Sequence, residues 1–177
     1  MIANLITLAR IALVPFVLWV VFAEPDRTSA WRWLAVLLFV LSAATDGVDG
    51  AVARKRGEVT NLGKLLDPIA DKLLIGGVLV SLSMLGEVAW WVTLTILVRE
   101  IGITVYRFAV IKSRVIAANG GGKLKTVMQS IMVGFLLSPS GWMPWGVQPF
   151  VETVLIWVSV LLTVWTGIAY LVAGVKK

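Results

Sequence analysis

Residues 149–174 read PFVETVLIWVSVLLTVWTGIAYLVAG, a run whose only charged side chain is Glu152. Wound as a helix at 1.5 Å per residue, it is long enough to cross the roughly 30 Å hydrocarbon core of a bilayer. Apolar runs of the same kind recur upstream at about 4–23, 31–54, 62–85, 88–111 and 124–138, each bounded by charges, Pro or Gly. Six spans of about 20 residues use about 120 of the positions, which leaves short loops and little room for a soluble domain. The composition agrees, with 59% hydrophobic and 15% charged residues and a mean hydropathy of +0.92. Globular chains carry about a quarter charged residues. The expectation is one all-α integral membrane domain over residues 1–177, with six transmembrane helices. The first run is nearly full span length and lacks a basic leader or a small-residue cleavage site, so it is expected to stay as the first helix.

Lys and Arg set the orientation. The odd connections hold Arg27, with Arg32 beside it, and none between Gly86 and Trp90 or between Ser138 and Pro149. The even connections hold Arg54, Lys55, Arg56 and Lys64, then Lys112, Arg114 and Lys123 with Lys125 alongside, and Lys176 and Lys177 close the chain. Basic residues collect on the cytoplasmic side, so both termini are expected there. Trp31, Trp33, Trp90, Trp91, Trp142 and Trp145 fall at the opposite ends, where indoles favour lipid headgroups. This bias accounts for the net charge of +6 without a nucleic-acid partner. No repeat of 20–50 residues and no inverted pair of broken helices argues for a transporter.

An ionisable residue inside a span is expensive and therefore a functional candidate. Asp46, Asp49, Asp67 and Asp71 gather at the cytoplasmic ends of the second and third helices. At 100° per residue, Asp46, Asp49, Gly50, Ala53 and Arg54 share one helix face. Ala43, Gly47 and Ala51 form an adjacent small-residue seam that admits a close neighbour. Gly63, Asp67 and Asp71 stack every four residues on the third helix, and the short basic turn 55–61 makes the two helices antiparallel neighbours. At an effective dielectric near 20, each carboxylate pair about 4 Å apart repels by about 4 kcal/mol, so four converging Asp require cations. With neither His nor Cys in the chain, the ligands are oxygen only, which points to Mg²⁺ or Mn²⁺, two ions for four carboxylates. Gly50 and Gly63 would admit a nucleotide or diphosphate close to the backbone, and Arg54 can fork onto a phosphate. Each residue alone has a structural alternative: Asp67 before Pro68 as a helix cap, and Asp46 or Asp49 as partners of Arg54, Lys55 or Arg56.

The stretch Asp46-x2-Asp49-Gly50-x2-Ala53-Arg54-x8-Gly63-x3-Asp67-x3-Asp71 resembles the signature of the CDP-alcohol phosphotransferase family. The resemblance implies a six-helix membrane enzyme, usually a homodimer, that moves a substituted phosphoryl group from a CDP-linked donor to an alcohol and releases CMP. It implies Asp46, Asp49, Asp67 and Asp71 as metal ligands, Asp71 also as the general base, and Gly50, Ala53, Arg54 and Gly63 as lining of the CDP pocket. Asn4-x2-Thr7-x2-Arg10, Arg99-Glu100 with Arg107, and Gly122-Lys123-Leu124-Lys125-Thr126 resemble the bacterial branch that joins CDP-diacylglycerol to glycerol 3-phosphate. Asn4 and Thr7 are thereby added to the CDP site. Two departures from that branch are Ala3, where proline is frequent, and the loop Asn119–Gly122.

Arg99, Arg107, Arg114, Lys123 and Lys125 form a cationic rim suited to an acceptor that already bears a phosphate. The plain alternative for Arg114, Lys123 and Lys125 is the positive-inside bias alone. Arg99 and Arg107 lie within the fourth helix and need anions, of which Glu100 serves one. Leu124 stands where a Walker loop has Ser or Thr after Gly-Lys, and no strand precedes it, so a Walker site is excluded. Competing functions are the same transfer with inositol phosphate, serine or phosphatidylglycerol as acceptor, and a divalent-metal transporter.

Overall fold

The computed structural model describes the backbone of residues 2–56, 61–110 and 121–175, and the side chains of 8–45, 69–106 and 124–172. It forms six helices, α1 (Ile2–Ala23), α2 (Arg32–Arg56), α3 (Asn61–Met84), α4 (Trp90–Val110), α5 (Gly121–Leu137) and α6 (Val147–Val175). Every boundary lies within three residues of the sequence expectation, and no strand occurs among the described residues. Helix α3 runs through the middle and packs against α1, α2, α4 and α5, while α6 lies at the edge against α4 and α5. The core is aliphatic: Val17 and Val21 from α1, Phe39 from α2, Leu74, Val78 and Leu82 from α3, Ile96 from α4 and Met132 from α5. Adjacent glycines on α3 admit two neighbours. A Cβ on Gly77 would lie 3.4 Å from Leu18 of α1, and one on Gly76 only 2.8 Å from the Leu97 tip of α4. Small residues are what let helices approach closely where lipid supplies no hydrophobic drive between them.

Large apolar side chains also cover the outside, among them Phe16, Trp19, Leu37, Val98, Val105, Leu161 and Trp165. Among the described residues, Val147–Val172 is the one segment long and apolar enough to cross a membrane by itself, and Leu8–Ala23, Arg32–Thr45 and Leu124–Leu137 are shorter apolar helices.

The connections 24–31, 85–89 and 138–146 meet at one end of the bundle. Gly86, with φ of 75°, closes α3 in a left-handed turn. Its N–H donates to the Ser83 carbonyl at 3.1 Å and the Glu87 N–H to that of Leu82 at 2.9 Å, the pattern of a Schellman cap. The cap delivers the Glu87 carboxylate to Arg32, which it pairs with directly, and to Arg27 Nε at 3.5 Å. Arg27 Nη2 also donates to Glu152 of α6 at 2.6 Å, and Gln148 Nε2 donates to the same carboxylate at 3.0 Å. The Ser140 N–H completes the knot on the Arg27 carbonyl at 2.7 Å. In the first of these connections Asp26 Oδ1 accepts the Thr28 N–H and hydroxyl, both at 2.8 Å. The backbone N–H, then the hydroxyl, hold its carboxyl below the ordinary value.

A buried polar seam joins α5 to α6. Gln129 Nε2 donates to Thr163 Oγ1 at 2.9 Å, and that hydroxyl donates to the Ser159 carbonyl at 2.6 Å. Replacing Thr163 by Val keeps the shape and removes the acceptor. The expected loss in a micelle unfolding titration is about 0.6 kcal/mol and at most about 1.7, the range for interhelical side-chain bonds in membranes. An unchanged midpoint would show the bond to be energetically idle.

Candidate active site

The other end of the bundle holds the C-terminus of α2 and the N-terminus of α3, and hence all four aspartates of the sequence signature. Helix α2 runs unbroken from Arg32 to Arg56, so Asp46, Asp49, Gly50, Ala53 and Arg54 keep regular helical spacing. Helix α3 starts at Asn61, six residues before Asp67. Asp67 is therefore inside the helix, and the alternative in which it caps a helix beginning at Pro68 does not hold. The side chains of Asp46, Asp49, Gly50, Ala53, Arg54, Gly63 and Asp67 lie outside the described residues, as do those of Asn4, Thr7, Arg107 and Lys123 and the whole of Arg114.

Asp71 is described. It is partly buried on α3 and acts electrostatically on Lys125 of α5. Lys125 is 4% exposed, and its ammonium pairs with the Glu100 carboxylate of α4. Arg99 Nη1 donates to the same Glu100 Oε1 at 3.1 Å, and Arg99 Nη2 donates to Thr166 Oγ1 of α6, also at 3.1 Å. Helices α4 and α5 thus meet at one carboxylate, and α6 joins them through Arg99. Of the predicted rim, Arg99 and Lys125 come together, both on Glu100.

Two contributors escaped the sequence reading. Thr166 and Gly167 sit in the long apolar α6 and carry no charge to mark them. A Cβ on Gly167 would lie 3.2 Å from Arg99 Cγ, so the glycine leaves room for the arginine to lie across α6. Arg10, quoted with Asn4 and Thr7 in the sequence motif of the first helix, is 2% exposed on α1, the helix packed between α2 and α3.

The donor set decides which metal suits the aspartates. Carboxylate oxygens on two helices in direct contact match hard divalent cations such as Mg²⁺ and Mn²⁺. Among the described residues there is no group of three or more His, Cys, Asp or Glu that could hold a metal. Asp71 is the member of the quartet whose side chain is described, and Lys125 supplies positive charge that it feels.

The CDP-alcohol phosphatidyltransferase family model matches residues 1–165. A Mycobacterium tuberculosis protein named "Probable phosphatidylglycerophosphate synthase" is 42% identical over 174 residues, covering 98% of this chain and 81% of that one. A Bacillus subtilis protein named "CDP-diacylglycerol--glycerol-3-phosphate 3-phosphatidyltransferase" is 38% identical over 183 residues, covering 94% and 91%. A Rickettsia bellii protein of the same name is 34% identical over 174 residues, covering 98% and 94%.

Proposed function

The chain belongs to the CDP-alcohol phosphatidyltransferase family, and from that premise we propose that it moves the phosphatidyl group of CDP-diacylglycerol onto glycerol 3-phosphate, giving phosphatidylglycerophosphate and CMP. The observation that carries this reading is the agreement of the relatives, which bear that name or its synonym across nearly the whole chain.

Asp46, Asp49, Asp67 and Asp71 would hold Mg²⁺ or Mn²⁺, two ions in the reading that the four carboxylates support. Bound there, the cations neutralise the diphosphate and lower the pKa of the attacking hydroxyl. Gly50, Ala53, Gly63, Asn4 and Thr7 line the nucleotide pocket, and Arg54 forks onto a phosphate. Arg99 and Lys125, with Arg107, Arg114 and Lys123, hold the acceptor's phosphate by charge-assisted bonds. Asp71 takes the proton from the acceptor hydroxyl. Its oxygen then bonds to the lipid-linked phosphorus as the bond from that phosphorus to CMP breaks. The electrostatic influence of Asp71 on Lys125 supports a base near the phosphate anchor, as a three-carbon acceptor requires.

The proposal includes placement. The single domain spans a cell membrane six times with both termini and the active site on the cytoplasmic face, and works as a homodimer. Lipid-facing side chains would account for the many exposed large apolar residues, among them Phe16, Trp19, Val98 and Trp165. Arg27 and Arg32, the two cations at the outer end, are matched by Glu87 and Glu152, and the sequence's excess of Lys and Arg falls at the other end. This placement leaves acyl chains in lipid while the polar acceptor arrives from water.

The test is CMP release by purified protein with CDP-diacylglycerol and a panel of acceptors. Glycerol 3-phosphate is expected to exceed glycerol in kcat/KM by about 100-fold, the scale of losing hydrogen bonds to a charged group. Equal turnover with serine, inositol phosphate or phosphatidylglycerol would remove the acceptor assignment. No CMP release with any alcohol, in either metal, would remove the reaction.

A further inference from the structure

We propose that Glu100 is a positioning residue that holds the Arg99 guanidinium and the Lys125 ammonium as a preformed receptor for the acceptor's phosphate; this rests on the reading that the acceptor carries one. The arrangement is unusual for a purely structural ion pair. One carboxylate oxygen serves two cations from two helices, so Glu100 by itself compensates only one of two charges where charge burial is costly. Among the described residues, neither cation has all its donors taken. An ammonium has three donors and a guanidinium five. Glu100 takes one from Lys125 and one from Arg99, and Thr166 takes another from Arg99. Arg99 Nε is buried and has no hydrogen-bond acceptor among the described residues. A buried donor without an acceptor is a standing cost, and an anion bound beside it removes that cost.

Placement follows from the same contacts. Without the Glu100 carboxylate the two cations repel each other, and Lys125 has a rival anion in Asp71. A lysine drawn to Asp71 would compete with the proton that Asp71 is to accept. Glu100 therefore keeps Lys125 on the phosphate side of the site and leaves Asp71 to the hydroxyl. Its backbone is fixed too, since the Thr104 hydroxyl donates to the Glu100 carbonyl at 2.7 Å, and Thr166 and Gly167 hold Arg99 from α6.

The experiment compares wild type, Glu100→Gln and Glu100→Asp in full-length protein, measuring KM for each substrate, kcat and thermal midpoint. Glu100→Gln is expected to raise KM for glycerol 3-phosphate by about tenfold or more, the scale of a lost charge-assisted contact. KM for CDP-diacylglycerol should stay within about twofold by the same reasoning, because no donor contact is touched. Glu100→Asp should restore part of the loss. A lowered midpoint with both KM values unchanged would assign Glu100 to stability alone and overturn the inference. A fall in acceptor KM would do so as well, because it would make the carboxylate a competitor of the phosphate. Failure of the wild-type enzyme to use glycerol 3-phosphate would remove the acceptor reading and the inference with it. Normal wild-type turnover with an unshifted Glu100→Gln would remove the inference alone.

Discussion

Asp71→Asn is expected to lower kcat by about 10²–10⁴-fold, the contribution of a positioned general base. Asparagine keeps the shape and one ligating oxygen but cannot accept the acceptor's proton. The substitution therefore separates two duties that the proposal gives to one side chain. A residue acting only as metal ligand would respond to concentration: excess Mg²⁺ or Mn²⁺ would refill the weakened site and restore the rate. A base is not replaced by more cation. The measurement is kcat for Asp71→Asn across a metal titration carried to saturation. A rate that climbs back to wild type would assign Asp71 to metal binding and leave the base unidentified. Lys125 adds a second readout. It loses an attractive neighbour in Asp71→Asn and falls more fully to Glu100, so acceptor KM is expected to change far less than kcat.

How much was legible in the sequence follows from what each residue's chemistry announces. The six helices were legible because each is a long apolar run whose ends are marked by Gly, Pro and charge. Glycine at 86 marked the end of α3, and the cap forms there. The aspartate signature was legible because carboxylates have no ordinary business in a span. What stayed hidden were pairings across helices. Arg27 and Arg32 read as two cations on the wrong side of the charge bias; Glu87 and Glu152 answer them only once three connections meet. Glu100 read as the partner of one arginine, whereas α5 brings Lys125 to the same oxygen. Thr166 and Gly167 matter through where Arg99 lies, and nothing in a run of apolar residues foretells which small side chain will face a guanidinium.

Glu87→Ala is expected to be among the most destabilising single changes at the end of the bundle where the three connections meet. Arg32 is fully buried there, and its guanidinium would lose the carboxylate that compensates its charge. Removing one partner of a buried pair costs about 3–5 kcal/mol. For a chain of this length, 1 kcal/mol moves Tm by about 2–4 °C, so the expected fall is about 6–20 °C. Glu152→Ala should cost less, although its bond to Arg27 is a well-formed 2.6 Å. The Arg27 side chain is 23% exposed and keeps Glu87 at 3.5 Å and the Leu136 carbonyl at 3.4 Å, so it reaches both water and other acceptors. The deciding comparison is the double replacement of Arg32 and Glu87 by Met. If the single loss arises from an uncompensated charge, the double variant recovers most of the midpoint, because neither charge remains to be buried. If it arises from lost packing around the α3 cap, the double variant is no better than Glu87→Ala. In every variant, kcat per folded molecule should match wild type, since the aspartates and the Glu100 node lie at the other end of the bundle.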